Sequence, residues 1–145
     1  MDHVAIMKKS WRLIPKILNG KKIIESRWYK TRRDPWNNVR TGDNVYFKNS
    51  GEKVKIRARV KKIKEFSGLT PKRVKKLLRR YGERDGIEGD KIKKFYNLFK
   101  NKNYSILVFL KNSETIKPFE IDKTGFGQMC AWICIENIEN IKKLK

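Results

Sequence analysis

Histidine is almost missing from this chain: His3 is the only one in 145 residues. A nuclease built on a pair of histidines is therefore excluded, and a Ser-His-Asp hydrolase is disfavoured. Cysteine is nearly as scarce, with only Cys130 and Cys134. On a strand these two would stand about 13 Å apart at ~3.3 Å per residue, too far for a disulfide. They are expected to be core thiols in a reducing compartment. With neither a Cys-x-x-Cys pair nor a histidine cluster, no metal site is expected. Acids number 15 and are too scattered for a two-metal centre. The glycines match neither a phosphate-binding P-loop nor a dinucleotide fingerprint, and no cofactor is expected. No apolar run approaches the ~20 residues of a membrane helix. Met1-Asp2-His3-Val4-Ala5 lacks a signal-peptide layout, so a cytoplasmic location is expected.

What the chain has is positive charge. Lys and Arg total 37, the formal net charge is +22 and the pI is near 10.2. Such a field concentrates polyanions, which makes RNA or nucleotides the expected partner. A proteome-wide lysine bias would raise glutamate in parallel, and here it has not. The length suits one domain over residues 1–145 with a real core, and a monomer is expected.

Along the chain, Val4-Ala5-Ile6-Met7 predicts a first strand. A short helix is predicted within 10–19, starting near Ile14 with Pro15 in its first turn, where a missing N–H costs nothing, and with Ile17 and Leu18 facing the core. Gly20 has the conformational freedom to end it. Next comes Gly20-Lys21-Lys22-Ile23-Ile24-Glu25-Ser26-Arg27. In a strand, Ile23, Glu25 and Arg27 share a face, which sets a carboxylate beside a guanidinium. Lys22 joins that pair only if the chain is still turning there. A structural reading of Glu25–Arg27, as a pair lining a ligand pocket without chemistry, stands beside a catalytic one.

Residues 28–40 interleave aromatics with cations. Asp34-Pro35 and Asn37-Asn38 mark this stretch as a loop. Its Trp28, Tyr29, Lys30, Arg32, Arg33, Trp36 and Arg40 suit a nucleic-acid surface, with cations for phosphates and rings for unstacked bases. Trp28 and Trp36 equally suit plugs at the end of a barrel. Val54, Ile56, Ala58 and Val60 alternate with Lys55, Arg57, Arg59 and Lys61, a half-buried strand whose outer face is wholly cationic. A row of one sign is unfavourable unless an anion lies against it.

Thr70-Pro71 opens a helix as cap and first-turn proline. Val74, Leu77, Leu78 and Tyr81 form its apolar stripe, Gly82 ends it, and Arg73, Lys76, Arg79 and Arg80 belong to its basic face. Asp90 is the expected cap of a second helix with Ile92, Phe95, Tyr96 and Phe99 on its apolar side. Between the helices lies an acidic cluster, Glu83 to Glu88. Strands are expected at 104–110, at 115–121 with an interruption at Pro118, and at 131–135, followed by a frayed helix through Ile138, Ile141 and Leu144. Many short strands with helices gathered between them predict an α+β fold, a small, partly closed barrel.

Gly-x-Lys-x-x-Glu-x-Arg at 20–27, then Gly42-Asp43-Asn44-Val45-Tyr46-Phe47, then Gly125-Phe126-Gly127-Gln128-Met129-Cys130-Ala131-Trp132-Ile133, in that order, resemble the ASCH domain. This is the homology domain of the activating signal cointegrator, a branch of the PUA-like superfamily. The resemblance covers nearly the whole chain and implies a PUA-like β-barrel with helices inserted between strands. Small bacterial members are amidohydrolases for acetylated cytidine that use a lysine, a threonine three residues later and a glutamate further on. Their lysine matches Lys22, their threonine position holds Glu25 here, and the later acid falls nearest Asp85, with Glu83 as the alternative. Other members are ribonucleases or RNA-binding modules. The expected function is RNA binding, with a nucleotide or base pocket around Lys22, Glu25 and Arg27 and with Lys21, the aromatic loop and the basic helix holding phosphates. The alternative is an enzyme, a ribonuclease or modified-nucleoside hydrolase, with Lys22, Glu25 and Asp85 catalytic.

Overall fold

The structure is a computed structural model and describes residues 1–127 and 129–143. Six strands form one curled sheet: β1 (Asp2–Met7), β2 (Ile24–Tyr29), β3 (Asn44–Asn49), β4 (Val54–Phe66), β5 (Tyr104–Phe119) and β6 (Trp132–Ile135). Their order is β2-β5-β4-β3-β1-β6, with β1 and β3 parallel and every other pair antiparallel. Helix α1 (Ile14–Leu18) follows β1, while α2 (Pro71–Tyr81) and α3 (Ile92–Phe99) are inserted between β4 and β5. This is the expected α+β half-barrel.

Alternation places the core. Ile56, Ala58 and Val60 are buried on the concave face with Val45, Phe47, Ile106, Val108, Leu110 and Trp132, and Ile14 and Ile17 of α1 close one side. Val54, beyond a register shift in β4, packs instead with Val4, Tyr46 and Ile133. On the convex face α2 and α3 pack Val74, Leu78 and Phe95 against Trp28 and Ile87. Tyr81 joins Ile24, Leu107 and Phe109 on that face. Thr70 caps α2 by accepting the Arg73 N–H, and Pro71 sits in its first turn, as the sequence predicts. Pro15 occupies the first turn of α1, and Gly20 takes φ +81° after it.

Several expectations are corrected. Leu18 is 45% exposed, because five residues of helix leave only Ile14 and Ile17 on the buried side. Asp90 lies in a 3₁₀ turn, Gly89–Lys91, and α3 begins without a side-chain cap. The two pieces around 104–110 and 115–121 are one strand. β2 pairs only with Tyr104–Phe109, so beyond Leu110 β5 runs on beside β4 alone, where a proline is tolerated on the edge strand. The outer row of β4 is not wholly uncompensated, since Glu114 of β5 pairs with Arg57 and Glu52 with Lys55. Trp28 does not plug the barrel and belongs to the helix-side cluster, whereas Trp36 is half-buried and packs against the concave core. Trp28 stacks on Phe99 of α3, and Trp36 meets Tyr104 edge-on. The expected terminal helix is a single 3₁₀ turn, Ile138–Asn140, with Ile138 and Ile141 buried, and Leu144 lies outside the described residues. So does Gln128 of the closing motif. Among the described residues no helix is long and apolar enough to cross a membrane.

His3 anchors the other end of β1. It is fully buried, with Nε2 2.8 Å from Asp43 Oδ2 and Nδ1 accepting the Trp132 Nε1–H at 3.1 Å. That donor makes Nδ1 the bare nitrogen and Nε2 the protonated one. Burial lowers its pKa below the ordinary 6.5, outweighing the opposing pull of Asp43. The unfolded chain therefore takes up the proton first, so this contribution is complete above 6.5 and is lost as pH falls through the folded value. In an NMR titration, the single imidazole should stay neutral below 6.5 in the folded protein, with the urea midpoint falling over the same window. A protonation midpoint above 6.5 would overturn this assignment.

Candidate functional site

The site is built where two turns meet. After α1 the chain turns through Gly20 and Lys21, and β2 begins only at Ile24. Lys22 thus lies in the turn, and its side chain is carried inward beside Glu25 while Ile23 stays exposed. From the far side comes the link after α2, where the Arg84 carbonyl accepts the N–H groups of Ile23 at 2.8 Å and Ile24 at 3.0 Å. This pins Asp85 against Lys22. Gly86, at φ +81°, completes the approach: a Cβ there would stand 3.3 Å from the Lys22 stem.

Lys22, 1% exposed, holds its Nζ within 2.9 Å of four oxygens: Asp85 Oδ1 at 2.5 Å, Ile24 O at 2.6 Å, Asp85 O at 2.8 Å and Glu25 Oε1 at 2.9 Å. Glu25 Oε2 accepts the Arg27 Nε–H at 2.9 Å. The Arg27 guanidinium then crosses to the other edge of the sheet, donating to Ala131 O at 3.2 Å and Ile6 O at 3.3 Å. On the other flank Trp28 Nε1–H donates to Ser26 Oγ at 2.9 Å, and Ser26 donates to Asp85 Oδ2 at 2.5 Å. A continuous polar chain thus runs from Trp28 to Ala131.

The charges set one another's titration. Burial draws Lys22 towards the neutral amine, but Asp85 and Glu25 outweigh it and raise its pKa, so the ammonium is locked in. Burial opposes the charge on Glu25 as well, yet Lys22 and then Arg27 hold it below the usual carboxylate range. Asp85 is pushed the other way: burial raises its pKa, and Lys22 does not fully offset this because the Glu25 charge adds to it. The two acids are thereby distinguished, Glu25 ionised and Asp85 the readier to hold a proton.

Above this network opens a cavity of about 190 Å³. Trp11, Trp28, Phe95 and Phe99 contribute its aromatic walls, Glu25, Ser26, Arg27 and Asp85 its polar floor, and Lys8 its rim. The pockets of drug-sized ligands span roughly 300–1,000 Å³, so this one admits a single ring-sized group. Among the described residues no cluster of three metal-ligating side chains occurs, and Lys22 already occupies oxygens of both floor acids.

Of the residues singled out by the sequence, Lys22, Glu25, Arg27, Trp28, Tyr29 and Asp85 line this cavity. Glu83 is exposed and takes no part in the network. Lys21, Lys30 and Arg40 are exposed and do not line the cavity. Arg32 stands over Trp36 and Tyr104, and Arg33 over Tyr29, so the loop's rings are already covered by its own cations. Arg73, Lys76, Arg79 and Arg80 border a separate surface groove with Phe66 and Leu77. Sequence reasoning missed Ser26, which alternation places with Trp28 on the opposite side of β2 from Glu25. It also missed Trp11, Phe95 and Phe99, whose convergence on one cavity leaves no local trace.

No protein-family model and no curated protein matches the chain. Among solved structures, the ASCH protein of Zymomonas mobilis is similar at TM-score 0.67, with 96% of this chain and 90% of that one covered at 17% identity. The N-terminal domain of McrB from Staphylothermus marinus is similar at TM-score 0.52, with 82% of this chain and 76% of that one covered at 15% identity. At these identities the likeness establishes the fold.

The network yields a stability test. Asp85→Asn leaves a buried ammonium with one carboxylate, which should cost about 3–5 kcal/mol in urea denaturation. Glu83→Gln, two residues away and exposed, should stay within about 0.5 kcal/mol of wild type. Equal, small effects would show that the network does not anchor the site.

Proposed function

We propose, from the premise that the chain has the ASCH, PUA-like fold, that it is an RNA-binding protein of the cytoplasm that receives one unstacked base in the cavity above Lys22, Glu25 and Arg27. The observation that carries this reading is the contrast between the cavity and the surface. Two cations and two acids face one another in the cavity floor, and its walls are aromatic. The protein as a whole carries +22. An apolar, internally paired pocket suits an uncharged flat ring, and the cationic exterior suits the phosphates that flank it. Arg27 and Glu25 present fixed hydrogen-bonding edges, which a base edge can read.

The state of Lys22 favours binding over turnover. A lysine base or nucleophile must be partly neutral, and here two carboxylates hold the ammonium charged.

Trp11 tests the pocket, because it is only half-buried and packs edge-on against Phe95. In anisotropy titrations with single-stranded RNA, Trp11→Ala should lose about 1–3 kcal/mol, the usual worth of a base–aromatic stack. The salt dependence should remain that of wild type, since no phosphate contact is removed. Unchanged affinity in Trp11→Ala would reject the base pocket.

A further inference from the structure

On the convex face, at the end of α2, four cations converge on two rings. Lys62 stands 4.5 Å over Phe109, and Arg84 stands 5.1 Å from the Tyr81 centroid and 5.8 Å from that of Phe109. Arg80 lies 5.3 Å over Tyr81, and Lys64 donates to the Tyr81 hydroxyl at 3.1 Å. None of the four enters an ion pair among the described residues. Two consecutive outward positions of β4 and two residues flanking the end of α2 therefore hold like charges together without a carboxylate. The rings offset only part of that repulsion, about 0.5–1 kcal/mol for each exposed cation–π contact.

We infer that Lys62, Lys64, Arg80, Arg84 and the Tyr81 hydroxyl form a phosphate-binding cluster that takes the phosphodiester backbone of RNA. The inference rests on the RNA-binding reading and extends it to a second contact surface. Two guanidinium forks and two ammonium groups suit phosphate oxygens. The Tyr81 oxygen accepts from Lys64, which leaves its O–H to donate to the anion. Tyr81 and Phe109 are 5% and 4% exposed beneath their cations, so no base can stack there and the cluster contacts backbone alone.

Its position relative to the cavity supports one bound strand. Arg84 and Asp85 are consecutive, yet Asp85 is buried in the cavity floor while Arg84 stands over the convex-face rings. An RNA with one base in the cavity reaches the cluster by passing the turn at 84–85. The cluster thus adds affinity for a strand, does nothing for a nucleoside, and carries no base preference.

The test compares two variants that lose the same charge. One is Lys62→Gln/Lys64→Gln/Arg84→Gln. The other, Lys53→Gln/Lys93→Gln/Lys117→Gln, removes exposed cations scattered over the surface. At about −0.7 per phosphate contact on a single strand, the cluster variant should reduce the log–log salt slope for oligouridylate by about 2. The scattered variant should reduce it by less than half as much. Arg84→Gln alone should remove about 0.7, which guards against misfolding of the triple variant. Uridine, which carries no phosphate, should bind all of them alike. Calorimetry with inorganic tripolyphosphate should show binding to wild type that the cluster variant loses.

Equal slopes in the two triple variants would overturn the cluster and leave net charge as the cause. Failure of the wild type to bind any RNA would overturn the RNA-binding reading. In that event, loss of tripolyphosphate binding in the cluster variant alone would still uphold the phosphate site, and tripolyphosphate binding that survives in it would overturn the site too. Preference for anionic lipid vesicles over oligouridylate would overturn the choice of RNA as partner.

Discussion

Lys22 is shut off from bulk solvent at 1% exposure, and much of the structure follows from that. A buried ammonium is tolerated only when carboxylates and carbonyls replace its hydration shell. Its four oxygen neighbours come from the start of β2 and from the link after α2, residues separated by as many as 63 positions. Satisfying one charge therefore docks the inserted helices onto the strand edge. The same requirement passes along the chain. Glu25, drawn in by Lys22, needs a second cation to balance it, and Arg27 supplies one while tying β2 to Ile6 and Ala131 across the open side of the sheet. The half-barrel is held shut there by a side chain and not by a ladder of backbone bonds.

This arrangement separates two electrostatic environments. In the cavity, two cations and two acids face one another and little net field remains for a phosphate. Outside, cations outnumber acids heavily, and where they crowd, as over Tyr81 and Phe109, no acid answers them. A ligand with an uncharged ring and a charged backbone satisfies both environments at once, which a purely anionic or purely apolar ligand does not. The raised pKa of Lys22 fits a floor that orients a ring and does not exchange protons with it.

Where local rules compete with tertiary pairing, the sequence reading fails in instructive ways. Pro118 looks like a strand breaker, but it falls where β5 has lost its neighbour β2 and keeps only β4 beside it. Asp90 looks like a helix cap, but a 3₁₀ turn intervenes. Arg57 looks unpaired along β4, because its partner Glu114 is 57 residues away on the adjoining strand. For Pro118 and Arg57 the deciding neighbour is remote in the chain.

By itself the sequence determined what depends on periodicity, composition and short-range capping. The concave face of β4, the Thr70-Pro71 start of α2, the turn at Gly20 and the overall positive field are all local or additive properties. It also brought Glu25 and Arg27 together, since alternate residues of a strand must share a face. Only the tertiary structure decided whether Lys22 belongs with them, because that turns on where β2 begins, and the Arg84 carbonyl settles this from across the fold. The choice of Asp85 over Glu83, the aromatic walls from Trp11, Phe95 and Phe99, and the assembly of Lys62 and Lys64 with Arg84 were decided there too. Periodicity states which face of an element is apolar or charged. Which faces then meet is set by packing among residues distant in sequence, and this site is made almost entirely of such meetings.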